Sequence, residues 1–201
     1  MRVRENSRRD DDRADRPAAC SSQDQDLPAG YVSGAPLCTA LNRPDLRVLL
    51  GTAEEHALGA DGGVSWFSPV GGAGKIATPQ AKVPLQTYSV QLSASYDRLP
   101  VAETADLLGF TAQRTTVLGR PAVLYSDRTI GITLNFNGGK TSTGTGPGGI
   151  ARSLVVAKDA QDGGGSFEVV IWRQDGRLPD DTALFRTAEQ ALPTIPGWTA
   201  G

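Results

Sequence analysis

The feature that most constrains the fold is the strict alternation of apolar and polar residues over 87–96. Successive side chains of a strand point to opposite faces, so this pattern predicts a half-buried strand of an antiparallel sheet. Residues 129–137 alternate in the same way. The predicted apolar faces consist of Tyr88, Val90, Leu92, Ala94 and Tyr96 in the first segment, and of Ile130, Ile132, Leu134 and Phe136 in the second.

Weaker patterns complete the predicted fold. Asn42 is the predicted N-cap of a helical turn within 34–51, and the glycine-rich stretch 138–149 is predicted to be a flexible loop. Because the connections between strands are short, we expect an α+β fold with a mainly antiparallel sheet flanked by short helices. The other predicted strands are 64–68, 115–118, 122–125, 154–157 and 167–173, and the other predicted helices are 100–109 and 181–192.

The N-terminal segment differs in composition from the rest of the chain. Residues 1–26 contain six arginines and seven acidic residues with almost nothing apolar. Burial therefore cannot offset the entropy lost in ordering them. We expect a disordered charged leader over 1–30 and a single α+β domain over 31–201.

Two strings in this leader are similar to export signals. Arg8-Arg9 matches part of a twin-arginine signal, and Ala18-Ala19-Cys20-Ser21 is similar to the end of a lipoprotein signal. Neither lies beside the apolar stretch that such signals need. The chain as given is therefore predicted to carry no export signal.

The chain has two cysteines, Cys20 and Cys38. One interpretation is a disulfide between them, formed in an oxidising compartment and stabilising by about 3 kcal/mol through loop closure. The other is that Cys38 is a small buried apolar residue and Cys20 an exposed thiol. The sequence leaves both open.

Charge and composition exclude several classes of function. The net charge is -2, so no positive field favours nucleic acid. No stretch approaches the ~20 apolar residues of a membrane span. Two cysteines and one histidine without a CxxC motif do not predict a metal site. Gly139-Lys140-Thr141 and the glycines of 144–149 match fragments of phosphate-binding motifs in the wrong context, so no cofactor is expected.

A candidate binding surface lies on the polar side of the predicted strands. It presents hydroxyl, amide and indole groups, which bind ligands or partners through adaptable hydrogen bonds. The alternative is a plain solvated sheet face, or a face covered by the glycine-rich segment 58–80. The residues of this candidate surface are Ser89, Gln91, Ser93, Thr133, Asn135 and Trp172.

No arrangement of residues identifies a catalytic centre, and we predict no catalytic residues. His56, the only histidine, follows two glutamates and would suit a general base, yet it lies in a predicted loop. An enzyme would need Asp97, Asp127 and His56 to converge in one concave pocket. The remaining candidates for such a site are Tyr125, Glu168 and Asp175.

Several strings resemble one family. The run Leu37-Cys38-Thr39-Ala40-Leu41-Asn42-Arg43-Pro44-Asp45-Leu46, followed by Leu49-Leu50-Gly51, is similar to a streptomycete family of small exported or membrane-anchored proteins of unknown function. The strings at 87–90, 122–129 and 193–198 extend this likeness over most of residues 31–201. A more distant likeness to actinobacterial lipoprotein domains of the PsbP/Mog1 type implies a two- or three-layer sandwich of sheet and helices. The family brings no catalytic residues and implies a cell-envelope or secreted location.

Three hypotheses about function follow. The leading one is a non-catalytic extracytoplasmic domain that binds a small molecule or a protein. The second is a small enzyme, a hydrolase or a cyclase of a secondary metabolite, that uses carboxylates at strand ends. The third is a structural subunit of a larger assembly, which requires an exposed apolar patch.

Overall fold

A computed structural model describes residues 17–22, 27–67, 75–137 and 140–198, with the side chains of Phe67 and of residues 130–147 excepted. The described strands form one eight-stranded sheet in the order β1-β2-β3-β4-β8-β7-β6-β5. Every neighbouring pair is antiparallel except β1 with β2. The strands are β1 Cys20–Ser22, β2 Ala60–Phe67, β3 Ile76–Pro84, β4 Tyr88–Ser95, β5 Gln113–Val117, β6 Arg120–Asn137, β7 Lys140–Ala157 and β8 Ser166–Arg173.

Four short helices accompany this sheet in the described part of the chain. They are α1 Gly34–Leu41, α2 Leu46–Leu49, α3 Val101–Leu107 and α4 Asp181–Ala191, and a 3-10 turn, Leu192–Thr194, follows α4. None of these helices is long and apolar enough to cross a membrane. The predicted α+β class with a mainly antiparallel sheet is confirmed.

The strongly alternating segment forms β4, near the middle of the sheet. Its even-numbered residues are buried as predicted, with Val90 and Leu92 both 0% exposed. Ser89 and Ser93 on the polar face are buried too, so the strand is not half-buried as expected. On one side β4 pairs with β3, and on the other with β8, which lies far along the chain. β4 therefore joins the strands that precede it in the chain, β1–β3, to the strands that follow it, β5–β8, in one sheet.

The two faces of the sheet are covered unequally. On the first face, α1 packs on β2, β3 and β4, while α4 packs on β7 and β8, and together they enclose the main core. On the second face, α3 packs on β5, β6 and β7 over a smaller cluster that includes Val123 and Val155. The second face is therefore covered mainly over β5, β6 and β7.

The glycine-rich segment after α2 belongs to the sheet. Residues 64–67 of the predicted strand 64–68 belong to the longer β2, residue 68 lies outside the described part, and β3 was not predicted from the sequence. A Cβ atom on Gly62 would lie 2.4 Å from the carbonyl oxygen of Gly34, at the start of α1. Glycine is needed here because α1 and β2 touch through their backbones.

The N-terminal segment also contributes to the sheet. Cys20–Ser22 pairs in parallel with Ala60–Gly62, and Cys20 forms a disulfide with Cys38 of α1. The chain between β1 and β2 contains α1 and α2, as a parallel crossover requires. The expectation of a disordered leader over 1–30 differs from the structure at β1, because the disulfide and the pairing hold that strand. Residues 1–16 and 23–26 lie outside the described part.

Two further sequence expectations differ from the structure. Asn42 is the C-cap of α1 rather than an N-cap, because the helical turn expected after it, α2, begins only at Leu46 with Asp45 as its N-cap. The predicted loop 138–149 is largely strand, since Lys140 begins β7 and pairs with Asn137. Residues 138–139 lie outside the described part. The glycines and threonines of 140–149 show no alternation of apolar and polar residues, so the sequence did not predict this strand, which its pairing with β6 defines.

Candidate functional site

The candidate site is the part of the second face formed by β3, β4 and β8, called here the open face. In the described part of the chain, the helices that contact β4 and β8 pack on the first face of the sheet. Register places the side chains of the open face next to one another across three strands. Its defining residues are Lys82, Gln91, Ser93, Glu168 and Trp172.

Trp172 is the largest side chain of the open face and is partly exposed. It pairs with Ser89 of β4, while Lys82 stands one strand further away, on β3. The Lys82 ammonium nevertheless lies over the indole, with Nζ 4.9 Å from the ring centroid. The two side chains therefore meet across β4, and Lys82 adds an exposed positive charge through a cation–π contact.

Glu168 is the second chemical centre of the open face. Tyr125 of β6 donates a hydrogen bond to Glu168 Oε1, and the Ser93 hydroxyl also bonds to this carboxylate. Burial raises the pKa of Glu168 above its ordinary value, and the charge of Asp127 raises it further. The hydrogen bonds from Tyr125 and Ser93 act in the opposite direction, because they stabilise the ionised form.

Tyr125 shares this environment. Burial raises the pKa of its phenol well above the ordinary value, and the neighbouring Glu168 carboxylate raises it further. Tyr125 therefore remains a neutral hydrogen-bond donor at any physiological pH. The protonated Tyr125 phenol therefore contacts the Glu168 carboxyl, whose ionised form is disfavoured by burial.

Four residues of the candidate surface meet on or beside the open face. Ser89 is 1% exposed and accepts a hydrogen bond from Gln174 Nε2 at 2.8 Å. Ser93 is 7% exposed. The Gln91 amide bonds to Gln80 at 3.5 Å, so Gln91 and Trp172 carry most of the accessible surface of this set.

Thr133 and Asn135 lie elsewhere. Their strand positions pair with Gly144 and Ser142, beyond Ala151, where the pairing of β7 with β8 ends. The structure thus places them in a two-stranded extension of β6 and β7, and their side chains lie outside the described part. No described residue of β8 or β4 lies opposite them across the sheet, so they are not next to the open face.

The acidic residues and the histidine do not converge. Asp127 pairs with Ala151, which pairs with Trp172 on its other side, so Asp127 lies level with the start of β4. Asp97 follows the other end of β4. His56 lies in the loop after α2, with Nδ1 3.4 Å from Arg47 Nη1. The pocket that the enzyme hypothesis requires from Asp97, Asp127 and His56 is therefore not formed.

Asp175 has a structural role in the turn after β8. Its carboxylate lies 2.6 Å from Arg173 Nη2 and 3.7 Å from Arg177 Nε. The hydrogen bond from Arg173 holds the pKa of Asp175 well below its ordinary range. Asp175 thus orders an exposed turn at the end of the strand that carries Trp172.

The sequence interpretation missed two features of this site. Lys82 was missed because β3 was not predicted, so no strand was available to bring it beside Trp172. The Tyr125–Glu168 contact was missed because it spans β6, β7 and β8, although the shared parity of Glu168 and Trp172 already indicated a common face. In the described part of the chain, no group of three or more His, Cys, Asp or Glu side chains could hold a metal ion.

A cavity lies away from the open face. It has a volume of about 600 Å³ and is lined by residues 27–33 together with Pro36, Pro196 and Gly197. Tyr31 in its wall stacks on Tyr96 with ring centroids 3.8 Å apart. This cavity lacks the charged groups that distinguish the open face.

Comparison with known proteins gives one match. A family model described as a family of unknown function (DUF6215) matches residues 1–111, more than half of the chain. No curated protein and no solved structure gives a match. The streptomycete origin and the PsbP/Mog1 likeness therefore stay predictions.

Proposed function

The chain belongs to a family of unknown function (DUF6215), and we propose that this protein is a binding module whose open face holds a polar ligand or partner. The observation that carries the proposal is the Lys82–Trp172 pair, an exposed cation on a partly exposed indole. Tryptophan is enriched among the residues that dominate binding energy, and Lys82 places a positive charge beside it. The flanking groups, Gln91 and Gln80, supply amide donors and acceptors.

The chemistry of these groups indicates what the ligand carries. Lys82 would pair with an anionic or strongly accepting group, and the indole with a planar or apolar portion beside it. Glu168 is less available, because Tyr125 and Ser93 already bond to its carboxylate. The proposed ligand therefore combines an acceptor group with an adjoining apolar face.

The test is a ligand screen read by amide and indole chemical shifts of the whole chain. The probes are neutral oligosaccharides, acidic peptides and aromatic carboxylates, tested separately. We expect one class to shift the Trp172 indole together with the amides of Gln91 and Ser93. Shifts confined to the cavity around Tyr31, or no shifts with any class, would contradict the proposal.

Two variants sharpen this test. Trp172→Ala is expected to weaken binding by tenfold or more while the domain stays folded. Trp66→Ala removes another exposed indole, on β2, and is expected to leave binding unchanged. If Trp172→Ala unfolds the domain instead, the indole belongs to the core and not to a binding surface.

We also propose that the protein works outside the cytoplasm. The Cys20–Cys38 disulfide supports this location, since such bonds form and persist in oxidising compartments. The check is the intact mass of the protein from its native cells, with and without a thiol-blocking reagent. Unblocked cysteines support the oxidised state, and two blocked thiols would overturn the proposed location.

A second candidate function is acid–base catalysis at Glu168. The observation that favours it is the contact of the Glu168 carboxyl with the Tyr125 phenol in a site where burial raises the pKa of Glu168, the direction that suits a general acid. A ligand found in the screen is incubated with the protein, and its mass is then measured by mass spectrometry. A change in the ligand's mass with the wild type but not with Glu168→Gln would support catalysis. An unchanged mass with the wild type would contradict catalysis and leave binding as the proposed function.

A further inference from the structure

The first strand is attached to the sheet by few contacts. β1 has three residues, and it pairs only with Ala60–Gly62 of β2. Ser21 and Ser22 are exposed, so water competes for their hydrogen bonds. A three-residue strand at the parallel edge of a sheet contributes little by its pairing.

Two side chains and one covalent bond add to this pairing. The Asn42 amide donates to the carbonyl oxygen of Ala18, and Ser21 Oγ donates to Asp61 Oδ1 at 2.5 Å. The Cys20–Cys38 disulfide joins β1 to α1, 18 positions further along the chain. The covalent bond is therefore the dominant attachment of β1.

The two sulfur atoms differ in access. Cys38 is 0% exposed and packs in the main core, whereas Cys20 is partly exposed at the sheet edge. Thiol–disulfide exchange needs a thiolate to reach one sulfur atom. Cys20 is the sulfur that a reductant in solution would reach first.

We propose that the Cys20–Cys38 disulfide is a redox latch, whose opening frees β1 and turns the outer edge of Ala60–Gly62 into a surface that accepts an extended strand. A dithiol reductant attacks Cys20 Sγ, the Sγ–Sγ bond breaks, and Cys38 leaves as a thiolate that takes up a proton. The second thiol of the reductant then displaces Cys20, so the two electrons come from the dithiol, which becomes a disulfide. The inference does not depend on the function proposed for the open face.

The released edge specifies what it would accept. Backbone groups of β2 that now pair with β1 would lack partners, and such an edge binds an extended segment by strand addition. The segment seated there now, Ala19-Cys20-Ser21-Ser22, has only small side chains. Of the residues in β1 and just before it, Ala18 and Cys20 pack against the main core, whereas Ala19, Ser21 and Ser22 are exposed. The partner is therefore an extended strand with small residues at the two inward positions, where a bulky side chain would meet the core or α1.

The first experiment is amide hydrogen exchange of the whole chain, oxidised and after treatment with a phosphine reductant. We expect exchange in Ala60–Gly62 to rise tenfold or more on reduction, while the central residues Val90 and Val169 keep their protection. Unchanged exchange at Ala60–Gly62 would overturn the latch. A common rise at all sites would also overturn it, because the disulfide would then stabilise the whole domain.

The second experiment tests strand acceptance directly. A synthetic peptide of residues 17–22, activated at its cysteine as a thionitrobenzoate disulfide, is added to the Cys20→Ser variant. We expect Cys38 to attack the peptide sulfur, join the peptide and release thionitrobenzoate. A peptide with tryptophan in place of Ala18, which packs against the main core on the same side as Cys20, is the matched control and is expected to react at least tenfold more slowly. Equal rates for both peptides, or no reaction with either, would overturn the accepting edge.

Discussion

The guanidinium carbon of Arg120 lies 3.3 Å from the centroid of the Trp198 ring. Arg120 is 1% exposed, and burial lowers the pKa of its guanidinium. It also donates a hydrogen bond to the carbonyl oxygen of Lys158. Trp198 packs beside Phe167 of the main core, so the indole covers a buried positive charge at the start of β6.

Replacing Trp198 is therefore expected to destabilise the protein. Trp198→Ala removes the ring from both Arg120 and Phe167, at a cost of about 2–4 kcal/mol in the free energy of unfolding. Trp198→Phe keeps an aromatic face and is expected to cost about half as much. Denaturant unfolding measures both, and a Trp198→Ala cost below that of Trp66→Ala, on an exposed edge, would contradict the role assigned to this contact.

The contact between α1 and β2 gives a prediction with a matched control. A Cβ atom on Gly62 would lie 2.4 Å from Gly34 O, whereas one on Gly63 would have no neighbour within 4 Å. Gly62→Ala is expected to destabilise by about 2 kcal/mol, because α1 must move away from the sheet. Gly63→Ala is expected to stay within about 0.5 kcal/mol of the wild type. Equal effects on thermal unfolding would show that the backbones do not touch.

Helix α3 begins against a side chain from a distant loop. Both carboxylate oxygens of Asp162 accept hydrogen bonds from α3, from Val101 N at 2.7 Å and from Ala102 N at 2.9 Å. Asp162→Ala is expected to cost about 1 kcal/mol, since it leaves these amides without partners and its φ of 53° is unfavourable for alanine. Asp162→Asn tolerates the same φ and still accepts, so a smaller loss is expected. Hydrogen exchange of the Val101 and Ala102 amides measures the loss of these two hydrogen bonds. Identical exchange in the two variants would contradict the capping role of Asp162.

The buried carboxyl of Glu168 predicts a pH dependence. Its pKa is raised in the folded protein, so folding favours the protonated form. Its contribution to stability is then fully present below the ordinary pKa of 4.5 and is lost as pH rises through the folded value. Relative to Glu168→Gln, the wild type should therefore lose stability as pH rises from 4 towards neutrality, as urea unfolding would show. A difference that is constant with pH would contradict the shift.

The Tyr125 hydroxyl gives a separate test of the same site. Its hydrogen bond stabilises the Glu168 carboxylate, so Tyr125→Phe is expected to raise the pKa of Glu168 further. Ser153→Ala removes a partner of the phenol without touching the carboxylate and should change the pKa of Glu168 less. Carbon-13 NMR titration of the side-chain carboxyl measures both, and a lowered pKa in Tyr125→Phe would be contrary to the assigned direction.

The sequence was most informative where one segment carried its own signal. The alternation in 87–96 predicted both the strand, observed as Tyr88–Ser95, and its apolar buried face, and the polar face of this strand is part of the open face. The last helix was predicted over 181–192 and is observed as Asp181–Ala191, where Asp180 caps the first turn by accepting a hydrogen bond from Thr182 N. Such signals are contained within one segment of the sequence, so they can be recognised without knowledge of the fold.

Other elements had no local signal. β3 contains Pro79 and Lys82, and β7 begins in a run of glycine and threonine, so neither matches a typical strand pattern. The burial of Arg120 was equally invisible, because arginine is usually exposed. In each case another part of the chain fixes the structure: the neighbouring strands define β3 and β7 by pairing with them, and the ring of Trp198 covers Arg120.

The sequence by itself determined the α+β class, the buried face of the central strand, and the presence of two cysteines able to pair. Only the tertiary structure decided that β4 pairs with β8, that Lys82 lies on Trp172, and that Tyr125 donates to Glu168. Apolar periodicity records which residues of a segment leave water, but not which distant segment covers them. The choice of partner is made by the whole chain as it buries its apolar surface, and that choice assembled the open face.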